Sequence, residues 1–326
     1  MNNVFYYRGA IHIHSKFSDG TGDIYEISKA AKKAGLDWII ITDHNSMDIE
    51  EGFYNGVCVI RGEEISPEIS NHYLALGTNS VIKPDEDPQK YVDEVRKQDG
   101  AGFVAHPDES DLRKNKAKPI KWLDKSIIPD GVEIWNWFSD WADNFNDKNI
   151  FQIAYAYFFR NRLVKGPHIE TLKWWDDLNK NTERIVPAIG GVDAHALKIS
   201  KYILPVKVFP YEFCFKTLAN IIVLNEELPL SFQEQKGIII NAIKNGNNII
   251  INRQVRDEIP CIYNFDKHIC VKLSTKADIK IFCDGVHIYE EKSDIIQFKV
   301  PSIGKYRVEV YLNNKPWIYS NPIIVK

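Results

Sequence analysis

The stretch between His12 and His44 limits what this 326-residue chain can fold into more than any other segment. It begins with a short alternating strand that ends at His14. It closes with an unbroken apolar strand, Trp38 to Ile41, which Asp43 and His44 follow. An unbroken apolar run is typical of a parallel strand that is covered on both faces. The stretch therefore predicts two neighbouring strands, each followed directly by polar residues.

A helix is predicted between these two strands. Asp23 and Glu26 have the three-residue spacing of a capping box, in which each side chain bonds the other residue's backbone. Ile27 and Ala31 lie on one helical face, and Gly35 is placed to end the helix. The first unit of the chain is therefore strand, helix, strand.

The same alternation continues to about residue 200. Strands are predicted at 57–60, 73–76, 103–105 and 132–135, with a helix over 88–98 that proline opens. Strands that alternate with helices imply a parallel or mostly parallel sheet. With about seven such units, a closed or distorted α/β barrel is the predicted fold, and barrels of this class carry their chemistry at the carboxyl ends of the strands.

The pattern changes after about residue 255. Short strands are predicted at 261–275, 279–283, 295–300, 306–312 and 317–324, and the fourth of these alternates with a period of two. Asp284-Gly285 and Asn313-Asn314 are turn signals between strands. We therefore expect a barrel domain over residues 1–255 and a small β-sandwich-like domain over residues 256–326.

Composition and charge exclude several classes of partner. The net charge of −3 argues against nucleic acid and anionic membranes, which bind basic surfaces. No run of 18 apolar residues is present, so no segment is expected to span a membrane. The five cysteines are scattered, which favours free thiols and a cytoplasmic location. The sequence does not indicate an oligomeric state.

Six of the nine histidines and three carboxylates fall at predicted strand ends, on one rim of the barrel. Each residue taken alone has a structural alternative, such as a turn aspartate or a buried neutral histidine. Together, so many polar groups would be costly to desolvate unless divalent cations offset that cost. Imidazole and carboxylate ligands suit zinc, iron(II) or manganese, and nine ligands suit three ions. The candidate ligands are His12, His14, Asp19, His44, Glu64, His72, His106, Asp193 and His195.

These residues lie in motifs that resemble those of the PHP (polymerase and histidinol phosphatase) superfamily. The motifs, in order, are His12-x-His14 with Ser18-Asp19-Gly20, Thr42-Asp43-His44, Gly62-x-Glu64, Ala105-His106-Pro107 and Gly191-x-Asp193-x-His195. The resemblance covers about residues 8 to 200. It implies a distorted (β/α)7 PHP barrel, a trinuclear metal site, and the nine ligands named above.

Two further segments, Gly131 to Asn136 and Trp317 to Pro322, resemble the CehA/McbA branch of this superfamily. The branch is similar in pairing a PHP barrel with a β-rich C-terminal module, and it includes carbamate hydrolases. We therefore expect a metal-dependent phosphoesterase that acts on a small-molecule phosphate mono- or diester through a metal-activated hydroxide. A carbamate or carboxyl-ester hydrolase is the first alternative, and a binding protein with structural metals is the second. Glu64, Asp193 and His195 are the expected catalytic residues.

Overall fold

The computed structural model describes residues 4–109, 120–145, 158–199 and 206–326. Helices and strands alternate along the first three quarters of the chain, and strands alone follow. The helices are α1 Ile24–Lys33, α2 Pro88–Lys97, α3 Trp137–Asp143, α4 Ile169–Asn181, α5 Tyr211–Cys214 and α6 Phe232–Lys244, with one 3-10 turn, Arg160–Arg162. The strands up to the last helix are β1 Phe5–Ile13, β2 Trp38–Ile41, β3 Gly52–Tyr54, β4 Val57–Ile65, β5 Tyr73–Leu76, β6 Ala101–Val104, β7 Gly131–Asn136, β8 Ala188–Ala194, β9 Lys198–Ile199, β10 Val206–Lys207 and β11 Leu218–Leu224. The later strands are β12 Asn248–Asn252, β13 Cys261–Phe265, β14 His268–Cys283, β15 Val286–Lys299, β16 Gly304–Leu312, β17 Lys315–Ser320 and β18 Ile323–Val325.

Seven strands form a closed barrel in the order β1, β2, β4, β5, β6, β7, β8, and β8 pairs back onto β1. All neighbours in this ring are parallel except β5, which is antiparallel to both β4 and β6. The predicted fold class is thus confirmed: an α/β chain with a closed seven-stranded barrel and additional strands. The reversed β5 matters for the site, because its amino end lies at the mouth where the other barrel strands end.

The remaining strands continue outward from β1. They run through β11, β12, β17, β16, β14 and β13, and the pairing of β12 with β17 joins residues after 255 to the same sheet. The prediction of separate short strands at 261–275, 279–283 and 295–300 is wrong in the lengths of those strands. In the structure β14 and β15 are 16 and 14 residues long and form one hairpin. The division at residue 255 stays a prediction.

Apolar packing follows the alternation of the barrel strands. Neighbouring residues of β2 enter two different apolar clusters, with Ile39 and Ile41 in one and Trp38 and Ile40 in the other. A third cluster is formed by the C-terminal strands together with β11 and β12. Among the helices in the described part of the chain, none has the length and apolar content needed to cross a bilayer.

Candidate metal centre

The nine predicted ligands come from the loops and strand ends at one mouth of the barrel. His12 lies near the end of β1, Glu64 near the end of β4, and Asp193 near the end of β8. His106 follows β6 by two residues, as expected for a strand with the common direction. His72 instead precedes its strand, and it reaches the same mouth because β5 runs in the opposite direction.

The chain after His14 is fixed by a buried carboxylate. Asp43, which is 1% exposed, accepts hydrogen bonds from the backbone N–H and the hydroxyl of Ser15 at 2.7 and 2.6 Å. Its Oδ1 also accepts from the Ser18 hydroxyl at 2.6 Å. The loop that carries Asp19 is therefore fixed to the end of β2, which explains why the Thr-Asp-His motif contains an aspartate that is not itself a candidate ligand.

Three of the candidate ligands have left-handed backbone conformations, with φ of 68° at His12, 29° at His106 and 50° at Asp193. Non-glycine residues rarely adopt such angles, and they persist where the surrounding structure holds them. A register shift between β1 and β8 accompanies the first of them. The strand ends are thus shaped to aim side chains into the barrel mouth.

Glu64 is the carboxylate at the centre of the cluster, and it is fully buried. Its Oε1 lies 2.7 Å from His72 Nδ1 and 3.2 Å from His106 Nε2. Its Oε2 lies 3.2 Å from His12 Nε2 and 3.3 Å from His14 Nε2. Oε2 also lies 3.1 Å from His44 Nδ1, so the two oxygens of Glu64 together face five imidazoles.

Two aspartates occupy the other side of the cluster. Asp193 Oδ1 lies 3.6 Å from His12 Nε2 and 3.4 Å from His14 Nε2. Asp19 Oδ1 lies 3.1 Å from His195 Nε2 and 3.7 Å from His44 Nε2. Asp193 Oδ1 also lies 3.4 Å from His195 Nδ1, and Asp19 Oδ1 lies 3.7 Å from His14 Nδ1. Each aspartate oxygen is thus surrounded by three imidazoles.

Four overlapping groups of donor atoms result, and within each group the atoms lie within 4.8 Å of one another. Adjacent groups share one residue, so the four groups form a closed chain around the barrel mouth. Every one of the nine predicted ligands belongs to at least one group. The groups are His14-Asp19-His44-His195, His12-His14-Asp193, His12-Glu64-His106 and His44-Glu64-His72.

These residues suit divalent ions. His14 is fully buried, and neither of its ring nitrogens has a hydrogen-bond partner among the described residues. A buried ring nitrogen without a partner lowers the stability of the fold unless another group binds it. Two ligands of a tetrahedral zinc ion are about 3.4 Å apart for metal–ligand distances near 2.1 Å. The separations of 3.1 to 3.7 Å around Asp19 and Asp193 lie close to that value.

Burial and neighbouring charges set the protonation of the cluster. Burial alone would raise the pKa values of Glu64 and Asp193, but the neighbouring histidines hold both well below their usual range. Burial, together with the charge on His195, lowers the pKa of His14 to about 4. Carboxylate contacts overcome burial and raise the pKa values of His106 and His195 to about 9. The cluster therefore presents ionised carboxylates and, at His14, a neutral imidazole, the form that binds metal ions.

Several residues that contact the ligands lie outside the predicted set. Ser66 Oγ lies 2.6 Å from His44 Nδ1, and its position directly after β4, two residues after Glu64, was its sequence signal. The Tyr211 hydroxyl donates to the backbone carbonyl of His14 at 2.7 Å and accepts from the N–H groups of Thr21 and Gly22. That tyrosine is 197 residues from His14, so no local pattern could reveal it.

Comparison with known proteins identifies the family. Residues 10–120 match the family described as PHP domain. The uncharacterized protein MJ1587 of Methanocaldococcus jannaschii is 30% identical in an alignment 144 residues long that covers 39% of this chain and 80% of that protein. The chain belongs to the PHP domain family.

Solved structures with a similar fold extend the comparison to the rest of the chain. A two-domain protein from Bacteroides vulgatus ATCC 8482, described as containing a predicted PHP-like metal-dependent phosphoesterase, aligns over 98% of this chain and 96% of its own, with a TM-score of 0.50 and 16% identity. PsfC from Pseudomonas syringae PB-5123 aligns over 76% of this chain and 91% of its own, with a TM-score of 0.41 and 12% identity. The first likeness shows that this PHP chain shares its whole fold, C-terminal strands included, with a known structure.

Proposed function

We propose that this PHP protein is a metal-dependent hydrolase, and specifically a phosphoesterase that acts on a small-molecule phosphate mono- or diester. One observation carries the proposal: nine side chains from separate parts of the chain bring imidazole and carboxylate donors to one barrel mouth, in groups with atoms within 4.8 Å of one another. Membership of the PHP domain family supports it.

The donor groups support a site for three ions, of zinc, iron(II) or manganese. We assign one ion to His12, His14 and Asp193, whose donor atoms form one compact group. We assign a second to Glu64, His72 and His106, around Glu64 Oε1. The third is assigned to Asp19, His44 and His195, around Asp19 Oδ1. His14 and Glu64 also face neighbouring groups, so they can bridge two ions.

Ions bound here would supply Lewis-acid chemistry, which makes water a nucleophile at neutral pH and stabilises charge on a phosphoryl oxygen. The chain's own groups differ in access to the substrate. Glu64 is fully buried, so we assign to it the positioning of the ions for catalysis, whereas Asp193 is 8% exposed. We therefore assign to Asp193 the orientation of the attacking water. His195, at the partly exposed end of the cluster, is the third residue that we assign to catalysis.

A carbamate or carboxyl-ester hydrolase of the CehA/McbA type is the second candidate. Two observations favour it. Glu133 and Asn136, from the segment that resembles that branch, both contact the cluster. Aromatic rings also border the site, because the Phe138 ring lies 6.0 Å from the His195 ring and Phe17 is 45% exposed in the neighbouring loop. Such rings would pack against an aryl or acyl group. We propose a cytoplasmic location in either case.

The test is a panel of p-nitrophenyl phosphate, bis-p-nitrophenyl phosphate and naphthyl carbamate, assayed with the zinc-loaded and the manganese-loaded protein. We expect turnover of a phosphate ester, and a fall of about 100-fold in Glu64→Gln because an NH2 group that cannot bind an ion replaces one charged carboxylate oxygen. Glu63→Gln is the matched control, since Glu63 is equally buried but bonds the Ile82 N–H instead of the cluster. Turnover of the carbamate alone favours the second candidate. Full ion content without turnover of any substrate contradicts both and favours a binding protein.

A further inference from the structure

Glu133, on β7, is a buried carboxylate beneath the metal centre that is not among the predicted ligands. It is 1% exposed. Its Oε1 lies 2.8 Å from His12 Nδ1. Its Oε2 accepts hydrogen bonds from the backbone N–H of His106 at 2.7 Å and from Asn136 Nδ2 at 3.1 Å. Both oxygens therefore have hydrogen-bond partners, and Oε1 contacts the imidazole ring of a candidate ligand.

The backbone around Glu133 leaves space for its carboxylate but not for a side chain on the neighbouring strand. A Cβ atom added to Gly191 would lie 1.6 Å from Glu133 Oε1 and 3.1 Å from His12 Cβ. Gly191 is thus required at this position of β8 because the carboxylate passes directly over its Cα. The contact between Glu133 and His12 joins residues 121 positions apart, and Gly191 of β8 borders it.

We propose that Glu133 is a positioning residue that determines which nitrogen of His12 binds an ion. By accepting the Nδ1 proton, it leaves Nε2 as the free donor, and Nε2 is the nitrogen that faces Glu64 Oε2 at 3.2 Å and Asp193 Oδ1 at 3.6 Å. Carboxylates that hold the second ring nitrogen of a ligand histidine fix its tautomer and its orientation. The inference rests on the proposed function in one respect, that His12 binds an ion.

A glutamine at this position tests the idea because its amide group would be forced into one orientation. The His106 donor is a backbone N–H that cannot turn away, and Asn136 Nδ2 donates to the same Glu133 oxygen. The glutamine oxygen must therefore take the Oε2 position. Its NH2 group then faces His12 Nδ1 and donates to it. His12 would have to carry its proton on Nε2, the nitrogen that the ion needs.

The first experiment measures zinc affinity by titration against a chromophoric chelator, with no substrate present. We expect Glu133→Gln to weaken the binding of one ion by about 10- to 100-fold, as loss of such a contact typically does. Glu63→Gln, the same change at a buried glutamate that does not contact the cluster, is expected to bind zinc as the unmodified chain does. Equal affinities in all three proteins overturn the inference and leave the proposed function intact. An unmodified chain that binds no zinc overturns both.

The second experiment needs no Glu133 variant, so it decides the matter even if Glu133→Gln fails to fold. In 15N-histidine-labelled, zinc-loaded protein, the His12 resonances are assigned by their loss in His12→Gln. We expect Nδ1 of His12 to carry the proton and Nε2 to show the shift of a zinc-bound nitrogen. Zinc on Nδ1, or a proton on Nε2, overturns the inference whatever the hydrolase assays show.

Discussion

Replacement of Asp43 by alanine is expected to destabilise the metal-free protein by about 3–5 kcal/mol. The carboxylate accepts three hydrogen bonds, from the Ser15 N–H, the Ser15 hydroxyl and the Ser18 hydroxyl. A hydrogen bond to a charged group contributes about 1.5–3 kcal/mol, and a buried donor left without a partner costs about 1–3 kcal/mol. Ser15 is fully buried, so water cannot replace its two bonds, whereas Ser18 can rehydrate. The estimate therefore rests on Ser15.

Asparagine at position 43 is the matched variant. Its oxygen can replace Oδ1 and accept from the Ser15 N–H and the Ser18 hydroxyl. Its NH2 group then takes the Oδ2 position and donates to the Ser15 hydroxyl, which can turn to accept. All three hydrogen bonds are kept in weaker, neutral form, so we expect a cost of only about 1–2 kcal/mol.

The assay is thermal and urea unfolding of the three proteins in excess chelator, so that ion binding does not contribute. With an unfolding entropy of about 2 cal/mol/K per residue, the alanine variant should lose about 4–7 °C in Tm. The reasoning is refuted if the alanine variant unfolds within 1 °C of the unmodified chain, or if the asparagine variant is as unstable as the alanine variant.

Three further predictions concern regions away from the metal centre. Arg307→Ala should lower the free energy of unfolding in urea by about 3–5 kcal/mol, because it leaves the buried carboxylate of Glu309 and the half-buried one of Asp176 without their cation. A loss below 1 kcal/mol is the contrary result. Gly237→Ala should stabilise the protein by about 1 kcal/mol, because Gly237 lies within α6 and an added Cβ meets nothing within 4 Å. A lower Tm in this variant would contradict the prediction. The hydrogen bond to Asp143 raises the pKa of His168. This contact therefore stabilises the folded protein fully at pH values below the ordinary histidine pKa, and the stabilisation is lost as the pH rises through the raised pKa. Accordingly, His168→Ala should lower Tm more at about pH 5.5 than at about pH 9, and an equal loss at both would argue against the pair.

Local signals in the sequence were sufficient for the first barrel unit. The predicted capping box at Asp23 and Glu26 is present, with Asp23 accepting the Glu26 N–H at 3.0 Å. The apolar strand Trp38–Ile41 has the predicted bounds and is fully buried. Helix end signals and apolar runs depend on neighbouring residues only, so a single sequence contains the information needed to find them.

Features that depend on distant residues could not be predicted in the same way. Alternation along a strand would place His12 and His14 on one side, yet His12 has a φ of 68°, which breaks that alternation. The two imidazoles still approach the same oxygen of Glu64, because the register shift against β8 re-aims them. The reversed direction of β5 has no local signal either, since it is fixed by pairing with β4 and β6.

The C-terminal strands show a different limit. The turns at Asp284-Gly285 and Asn313-Asn314 are present, with positive φ at all four residues. The length of β15 could not be predicted, because its first nine residues are mostly polar and exposed and do not alternate. Such a strand is held by backbone hydrogen bonds to β14, which are independent of side-chain pattern.

The central claim is that nine side chains at one barrel mouth bind a cluster of divalent ions. Anomalous diffraction from crystals grown with zinc or manganese, recorded at the absorption edge of the added metal, tests it most directly. The account predicts three peaks at the mouth, one bounded by Glu64 Oε1, His72 and His106, each about 2.0–2.3 Å from its ligands. Full-strength peaks elsewhere on the chain, with none at the barrel mouth, would contradict it.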